Sequence, residues 1–167
     1  MTTSATVSAL ATALIGRRWR LAVAESCTGG LLAAACTDQA GASDWFERGL
    51  VVYSNDAKSA LLGVPQALIA EHGAVSKAVA LALAVGVRQS AGVDLAVSVT
   101  GIAGPGGGSA AKPVGTVWLG WSCADGRSGA LVRHLTGDRA AVRAQSVDAA
   151  LEIALGLVLQ AEVNGDM

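Results

Sequence analysis

The chain has little of what usually announces a function. Charged residues make up only 15% of its 167 positions and nearly balance, to a formal net charge of −1. Affinity for a phosphate backbone comes from clustered lysine and arginine, so no nucleic-acid partner is expected, whereas a small polar or anionic ligand in a local pocket is allowed. The three cysteines, Cys27, Cys36 and Cys123, are odd in number and show no CxxC spacing. That argues against a disulfide framework and a zinc site, and fits a reducing cytoplasm. Only two histidines occur, His72 and His134, and no spacing ties either to a Ser-His-Asp triad; His134 falls in the middle of a predicted strand. The longest apolar run, between Lys77 and Arg88, covers about ten residues. A bilayer needs roughly 20, so no membrane association is expected. In MTTSATVSALATALIGRRWR the positive charges follow the apolar part, the reverse of a secretory signal, and the segment is expected to belong to the mature protein. The motifs GxxxxGK[ST], GxGxxG, HExxH and GxSxG are all missing.

What is present is an apolar chain, 52% by composition, long enough to bury one core without staples. No linker, repeat or charge block divides it, so residues 1–167 are expected to form a single domain. Val7, Leu10, Ala11 and Leu14 stand at helical spacing, and Gly16 with RRWR is expected to end that helix. RLAVAE reads as a buried strand, followed by a helix from about Thr28 to Gln39 that Gly41 closes. ERGLVVYS is a second strand and NDAKSALLGV a short helix entered at Asn55 as N-cap. Pro65 suits the start of a further helix ending near Gly73, and Ser76 caps a long one from Lys77 to Ala91. VDLAVSVT, PVGTVWLGWS and RSGALVRHLT are three more strands, the last two a hairpin turned at Asp125-Gly126. One long helix with Asp138 near its start completes the chain. This pattern predicts an α/β fold, a mixed, mostly parallel five-stranded sheet with helices on both faces.

In such sheets ligands sit beyond the carboxyl ends of the strands. Two segments meet there, ESCTGG after the first strand and TGIAGPGGG after the third. Glycine pairs can serve only close packing, but amides exposed at a helix start also form an anion site, with Ser26 or Thr28 beside it. As a nucleophile Ser26 needs a base. Lys58, five residues beyond the sole tyrosine, Tyr53, is the lysine that brings an amine near the same sheet edge. Taken singly, Lys58 reads equally as a solvated helix residue and Tyr53 as a half-buried strand residue. Cys27 is a rival nucleophile, since a thiolate beside a helix start would be activated.

The blocks AESCTGG, WFERGLVVYSNDAK, EHGAVS, SVTGIAGPGGGS and KPVGTVW, in that order, resemble the C-terminal domain of the competence-damage-inducible CinA proteins and their stand-alone relatives, over about residues 5 to 160. The resemblance implies a three-layer α/β/α sandwich and hydrolysis of the carboxamide of nicotinamide mononucleotide to nicotinate mononucleotide and ammonia, a salvage step. It implies Ser26 as nucleophile, Lys58 as general base and Tyr53 as the accompanying tyrosine, with Cys27 a packed core thiol. The amides of Thr28, Gly29 and Gly30 are expected to form the oxyanion hole. Asn55 is expected among the substrate contacts, and the phosphate is expected on the loop containing Thr100, Gly101, Ala103, Gly104 and Gly107, together with Arg139. No metal or cofactor is expected. Many family members carry an additional N-terminal domain, so only the deamidase half is expected here. A non-catalytic nucleotide sensor, or an interaction module linked to competence or DNA damage, is the alternative; an amidase for another pyridine or pterin-like amide is a third. Trp45, Phe46, Trp118 and Trp121 are expected to leave aromatic surface for a homo-oligomer.

Overall fold

The computed structural model describes residues 1–165, and side chains through residue 161. Helix α1, Thr3–Arg17, buries Val7, Leu10, Ala11 and Leu14 as their spacing requires, and the Thr2 hydroxyl caps it by accepting from the Ala5 amide. Gly16 does not end it. Arg18 takes the left-handed conformation instead, at φ 58°, and its N–H reaches the carbonyls of Ile15 and Leu14.

Strand β1, Leu21–Glu25, is buried throughout. Helix α2, Leu31–Thr37, starts three residues later than Thr28, because Gly29 and Gly30 carry the chain through a turn at φ 58° and 102°. It ends at Thr37 with Asp38 as its C-cap, well before Gly41, which opens a short 3-10 turn at Ala42–Asp44. Strand β2, Phe46–Val51, leads into α3, Asn55–Leu62. Ser54 rather than Asn55 caps α3, its Oγ accepting from the Ala57 amide at 3.0 Å. Helices α4, Gln66–His72, and α5, Lys77–Ala91, follow, with Ser76 capping α5 through the Val79 amide. Strands β3, Leu95–Gly101, β4, Thr116–Cys123, and β5, Ser128–His134, complete the sheet; His134 is the exposed last residue of β5, not a mid-strand one. Helix α6, Arg139–Gly165, begins at Asp138, whose carboxylate accepts from the Ala141 amide at 2.8 Å.

The sheet order is β2-β1-β3-β4-β5. β1 pairs in parallel with β2 and β3, and β4 pairs antiparallel with β3 and β5, so only β4 runs against the other four strands. Side-chain alternation along β1 assigns the layers. Leu21 and Val23 join a core built with α1, α2 and α6, whereas Ala22 and Ala24 join a second core with α3, α4 and α5. The fold is therefore an α/β/α sandwich.

Helix α5 lies unusually close to its neighbours. A Cβ at Gly120 of β4 would stand 2.3 Å from the Ala80 carbonyl of α5, and one at Gly86 of α5 would stand 2.3 Å from the Leu62 carbonyl of α3. Only glycine permits either approach; Gly120 sets how closely α5 lies on β4, and Gly86 how closely α5 lies against α3.

Of the aromatics expected at the surface, only Trp118, half-buried on β4, lies outside the first core. Trp45 is wholly buried, and Phe46 and Trp121 are partly buried against the first core. The large exposed apolar side chains include Leu31, Val51, Tyr53 and Leu61 instead. No helix among the described residues is long and apolar enough to cross a membrane.

Candidate active site

Strand alternation separates the two residues at the end of β1. Glu25 turns toward α2, and Ser26, held by its N–H to the Val99 carbonyl of β3 at 2.9 Å, turns toward α3. Lys58 comes from the first turn of α3. Its Nζ lies 3.2 Å from Ser26 Oγ and 2.9 Å from the Tyr53 carbonyl. The side chain is buried, and no salt bridge among the described residues involves it. Burial holds its pKa below the usual lysine value of 10.5. An amine so placed can lose its proton and then accept one from the serine hydroxyl.

Cys27, beside Ser26, faces the other way, into the core with α1, α2 and α6. Burial pushes its thiol up to about 11, against weaker lowering influences that include the guanidiniums of Arg143 and Arg139. It is therefore a protonated, packed thiol at neutral pH, not an activated nucleophile.

Tyr53 exposes 59% of its surface, and its hydroxyl accepts from Arg139 Nη2 at 3.3 Å. Arg139 Nη1 in turn donates to the Gly104 carbonyl at 2.8 Å. The start of α6, the segment between β2 and α3, and the glycine loop after β3 thus meet around one guanidinium. Thr100 is buried and its hydroxyl donates to the Ala74 carbonyl at 2.9 Å, so its role in this state is to hold the loop before α5. Ala103 is buried too. Gly104 and Gly107 have positive φ, 82° and 85°, and a Cβ at Gly104 would meet Val114 at 2.5 Å, while one at Gly101 would meet Val117 at 2.7 Å. A Cβ at Gly108 would likewise meet the Val114 amide nitrogen at 2.8 Å, so packing alone requires three of the five glycines of this loop.

Two expected groups are placed differently. The Gly30 amide donates to Glu25 Oε2 at 3.0 Å and the Gly29 amide to the Ser26 carbonyl at 3.1 Å, while Thr28 is wholly buried, so none of these three amides stands open to a ligand in this state. Asn55 does not join Ser26. With Asp56, Ser59, Gln66, Ile69 and Ala70 it lines a cleft between α3 and α4.

Two residues that the sequence pattern did not single out hold the turn. Glu25, wholly buried, accepts from the amides of Gly30, Leu32 and Ala33 at 2.8–3.0 Å, a carboxylate set at the positive end of α2. Its signal was an acid closing an otherwise apolar strand. Arg143, one turn beyond Arg139 on α6, donates from Nε to the Cys27 carbonyl and from Nη2 to the Thr28 carbonyl, both at 3.1 Å. Among the described residues no group of three or more His, Cys, Asp or Glu side chains gathers into a metal-binding set.

The sequence profile of the family described as CinA C-terminal domain matches residues 3–158. A nicotinamide-nucleotide amidohydrolase PncC from Enterobacter agglomerans is 54% identical over 143 residues, 86% of this chain and 87% of that protein. The protein of the same name from Escherichia coli K12 is 49% identical over 140 residues, 84% of this chain and 85% of its own length. Among solved structures, a competence-damaged protein (CinA) superfamily protein from Klebsiella pneumoniae superimposes with a TM-score of 0.91 at 39% identity, covering 96% of this chain and 99% of that one.

Proposed function

The chain belongs to the CinA C-terminal domain family, and from that premise we propose that it is a nicotinamide-nucleotide amidohydrolase that works through a Ser26–Lys58 pair. The observation that carries this reading is the 3.2 Å approach of a buried, salt-bridge-free amine to the Ser26 hydroxyl. The names borne by the PncC relatives supply the substrate, nicotinamide mononucleotide.

The chemistry follows from the pair. Neutral Lys58 accepts the Ser26 proton as Oγ bonds to the carboxamide carbon, and the carbonyl π electrons move onto oxygen. The intermediate collapses by breaking the carbon–nitrogen bond, and Lys58 returns the proton to the departing nitrogen, which leaves as ammonia. Water then adds to the acyl ester with Lys58 again as base, releasing nicotinate mononucleotide and restoring the serine. Two guanidiniums border the site, Arg143 on the Cys27 and Thr28 carbonyls and Arg139 on the Gly104 carbonyl, and positive charge there favours the oxyanion. Arg139, beside Tyr53 and the glycine loop, is the group suited to the substrate phosphate.

Ammonia release from nicotinamide mononucleotide by EDTA-treated protein tests the reading, with nicotinamide and its riboside as competitors. Hydrolysis with kcat/KM greatest for the nucleotide supports it. A folded protein that binds the nucleotide and releases no ammonia refutes it in favour of a sensor.

A further inference from the structure

We infer that Arg143 is a positioning residue of the nucleophile turn, acting on Ser26 through the rigid peptide units that follow it. The inference rests on the serine-nucleophile reading above and concerns how that serine is held.

Residues 26–30 belong to no helix or strand, so their carbonyls have no ladder to join. Two of them, on Cys27 and Thr28, converge on the single guanidinium of Arg143, contributed by a helix more than a hundred residues later in the chain. A planar fork with donors at fixed spacing meets two successive carbonyls; a lysine ammonium would not reproduce both directions.

A trans peptide unit points its C=O and its N–H in opposite directions. Fixing the Thr28 carbonyl toward α6 therefore sends the Gly29 N–H the other way, and that N–H is the one found 3.1 Å from the Ser26 carbonyl. Arg143 is thus linked to the backbone of Ser26 through one planar unit and one hydrogen bond. Fixing the Cys27 carbonyl likewise sets the direction of the Thr28 N–H. Thr28 Oγ1 is buried without a hydrogen-bond partner, so the turn is not held by that side chain.

Gly29 allows the turn its left-handed conformation, at φ +58°, and a Cβ there would lie 3.4 Å from Arg143 Nη2, in van der Waals contact with the guanidinium. On the other side, Glu25 fixes the amides of Gly30, Leu32 and Ala33. The turn is therefore gripped by its amides from β1 and by its carbonyls from α6, and Ser26 stands at the edge of that grip with its hydroxyl on Lys58.

The test uses the full chain carrying Arg143→Lys, Arg143→Gln or Gly29→Ala, with Arg127→Gln as control. Arg127 makes a comparable contact, Nη1 to the Leu157 carbonyl of α6 at 2.9 Å, among residues outside the site. Three quantities are read: the rate at which a fluorophosphonate probe modifies Ser26, by intact mass; kcat and KM for ammonia release; and Tm. Labelling rate and kcat are expected to fall about 10- to 100-fold in both Arg143 variants with KM nearly unchanged, and to fall in Gly29→Ala. Arg127→Gln is expected to alter Tm at most. Unchanged labelling and kcat in the Arg143 variants, a rise in KM alone, or losses that merely track Tm and recur in Arg127→Gln each overturn the inference. A folded wild type that neither takes the probe at Ser26 nor releases ammonia overturns the serine-nucleophile reading itself, and this inference with it.

Discussion

Lys58 Nζ stands 3.2 Å from Ser26 Oγ across 32 residues of sequence, and its second partner, the Tyr53 carbonyl at 2.9 Å, is also neutral. A lysine buried against a carboxylate keeps its proton; one buried against a hydroxyl and a carbonyl has no charge to keep it for. The neighbouring thiol adds no anion, since burial keeps Cys27 protonated up to about 11. The environment therefore favours the form of Lys58 that can act as a base.

Ser26→Ala and Lys58→Met are each expected to lower kcat for ammonia release by at least about a thousandfold, because the proposed nucleophile and its base act as a unit. Cys27→Ala should retain turnover while losing about 1 kcal/mol of stability for the packed sulfur. Steady-state ammonia assays with urea unfolding of each variant check both, and an inactive Cys27→Ala of normal stability would move the nucleophile to the cysteine.

The pH dependence follows from the lowered pKa of Lys58. The proposed base works as the neutral amine, so kcat/KM is expected to rise with pH along a limb whose midpoint lies below 10.5. Stability carries the same signature. Between the folded pKa and 10.5 the unfolded chain binds the proton that the folded chain has lost, so this contribution grows as pH rises through that window and is lost as pH falls through the folded pKa. The difference in unfolding free energy between wild type and Lys58→Met isolates it. A flat difference across the window would contradict a depressed lysine.

The cysteines act in the opposite sense. Burial raises Cys27 from 9.0 to about 11 and Cys36 from 9.0 to about 12. Above 9.0 the unfolded chain releases thiol protons that the folded chain retains, so stability is expected to fall from there through about 11 to 12. Unfolding curves for Cys36→Ala against wild type over that range should show the wild type losing stability faster.

Glu25→Gln replaces one acceptor oxygen with an NH2 group facing the amides of Gly30 and Leu32 or that of Ala33. A buried donor set against donors costs about 1–3 kcal/mol. Denaturant titration should show a lower midpoint at unchanged m-value.

Tyr53→Phe removes the hydroxyl that accepts from Arg139, at a side chain too exposed to matter for stability. An unchanged Tm with kcat/KM for the nucleotide reduced about tenfold is expected, one hydrogen bond to a charged group being worth about that much.

Much of this was legible in the chain. The five strands, the capping of α5 by Ser76, the start of α6 near Asp138, and the hairpin at Asp125-Gly126 follow from local spacing and turn chemistry, which depend on neighbours in sequence. The meeting of ESCTGG with Lys58 and the glycine loop follows from topology, since parallel strands deliver their carboxyl ends to one edge. Two of the expected oxyanion amides are occupied in the structure, that of Gly30 by Glu25, an acid lost in an apolar strand pattern, and that of Gly29 by the Ser26 carbonyl. Arg143 was invisible for a different reason: its partners are backbone carbonyls of a turn more than a hundred positions away, and backbone atoms leave no mark in the alphabet. The ends of α1 and α2 escaped because Arg18 and Asp38 took over from the glycines expected there.

The closeness of α5 to its neighbours has a genetic consequence. Gly120 meets α5 at Ala80, and Gly86 of α5 meets α3 at Leu62, four residues beyond Lys58. A side chain at Gly120 wedges α5 away from the sheet and one at Gly86 wedges α5 away from α3, and either displacement is carried to Lys58. In a library of random substitutions scored for growth on nicotinamide mononucleotide, codons 86 and 120 should therefore tolerate as little variety as codon 58, and they should yield soluble protein that has lost turnover without any altered residue in reach of the substrate.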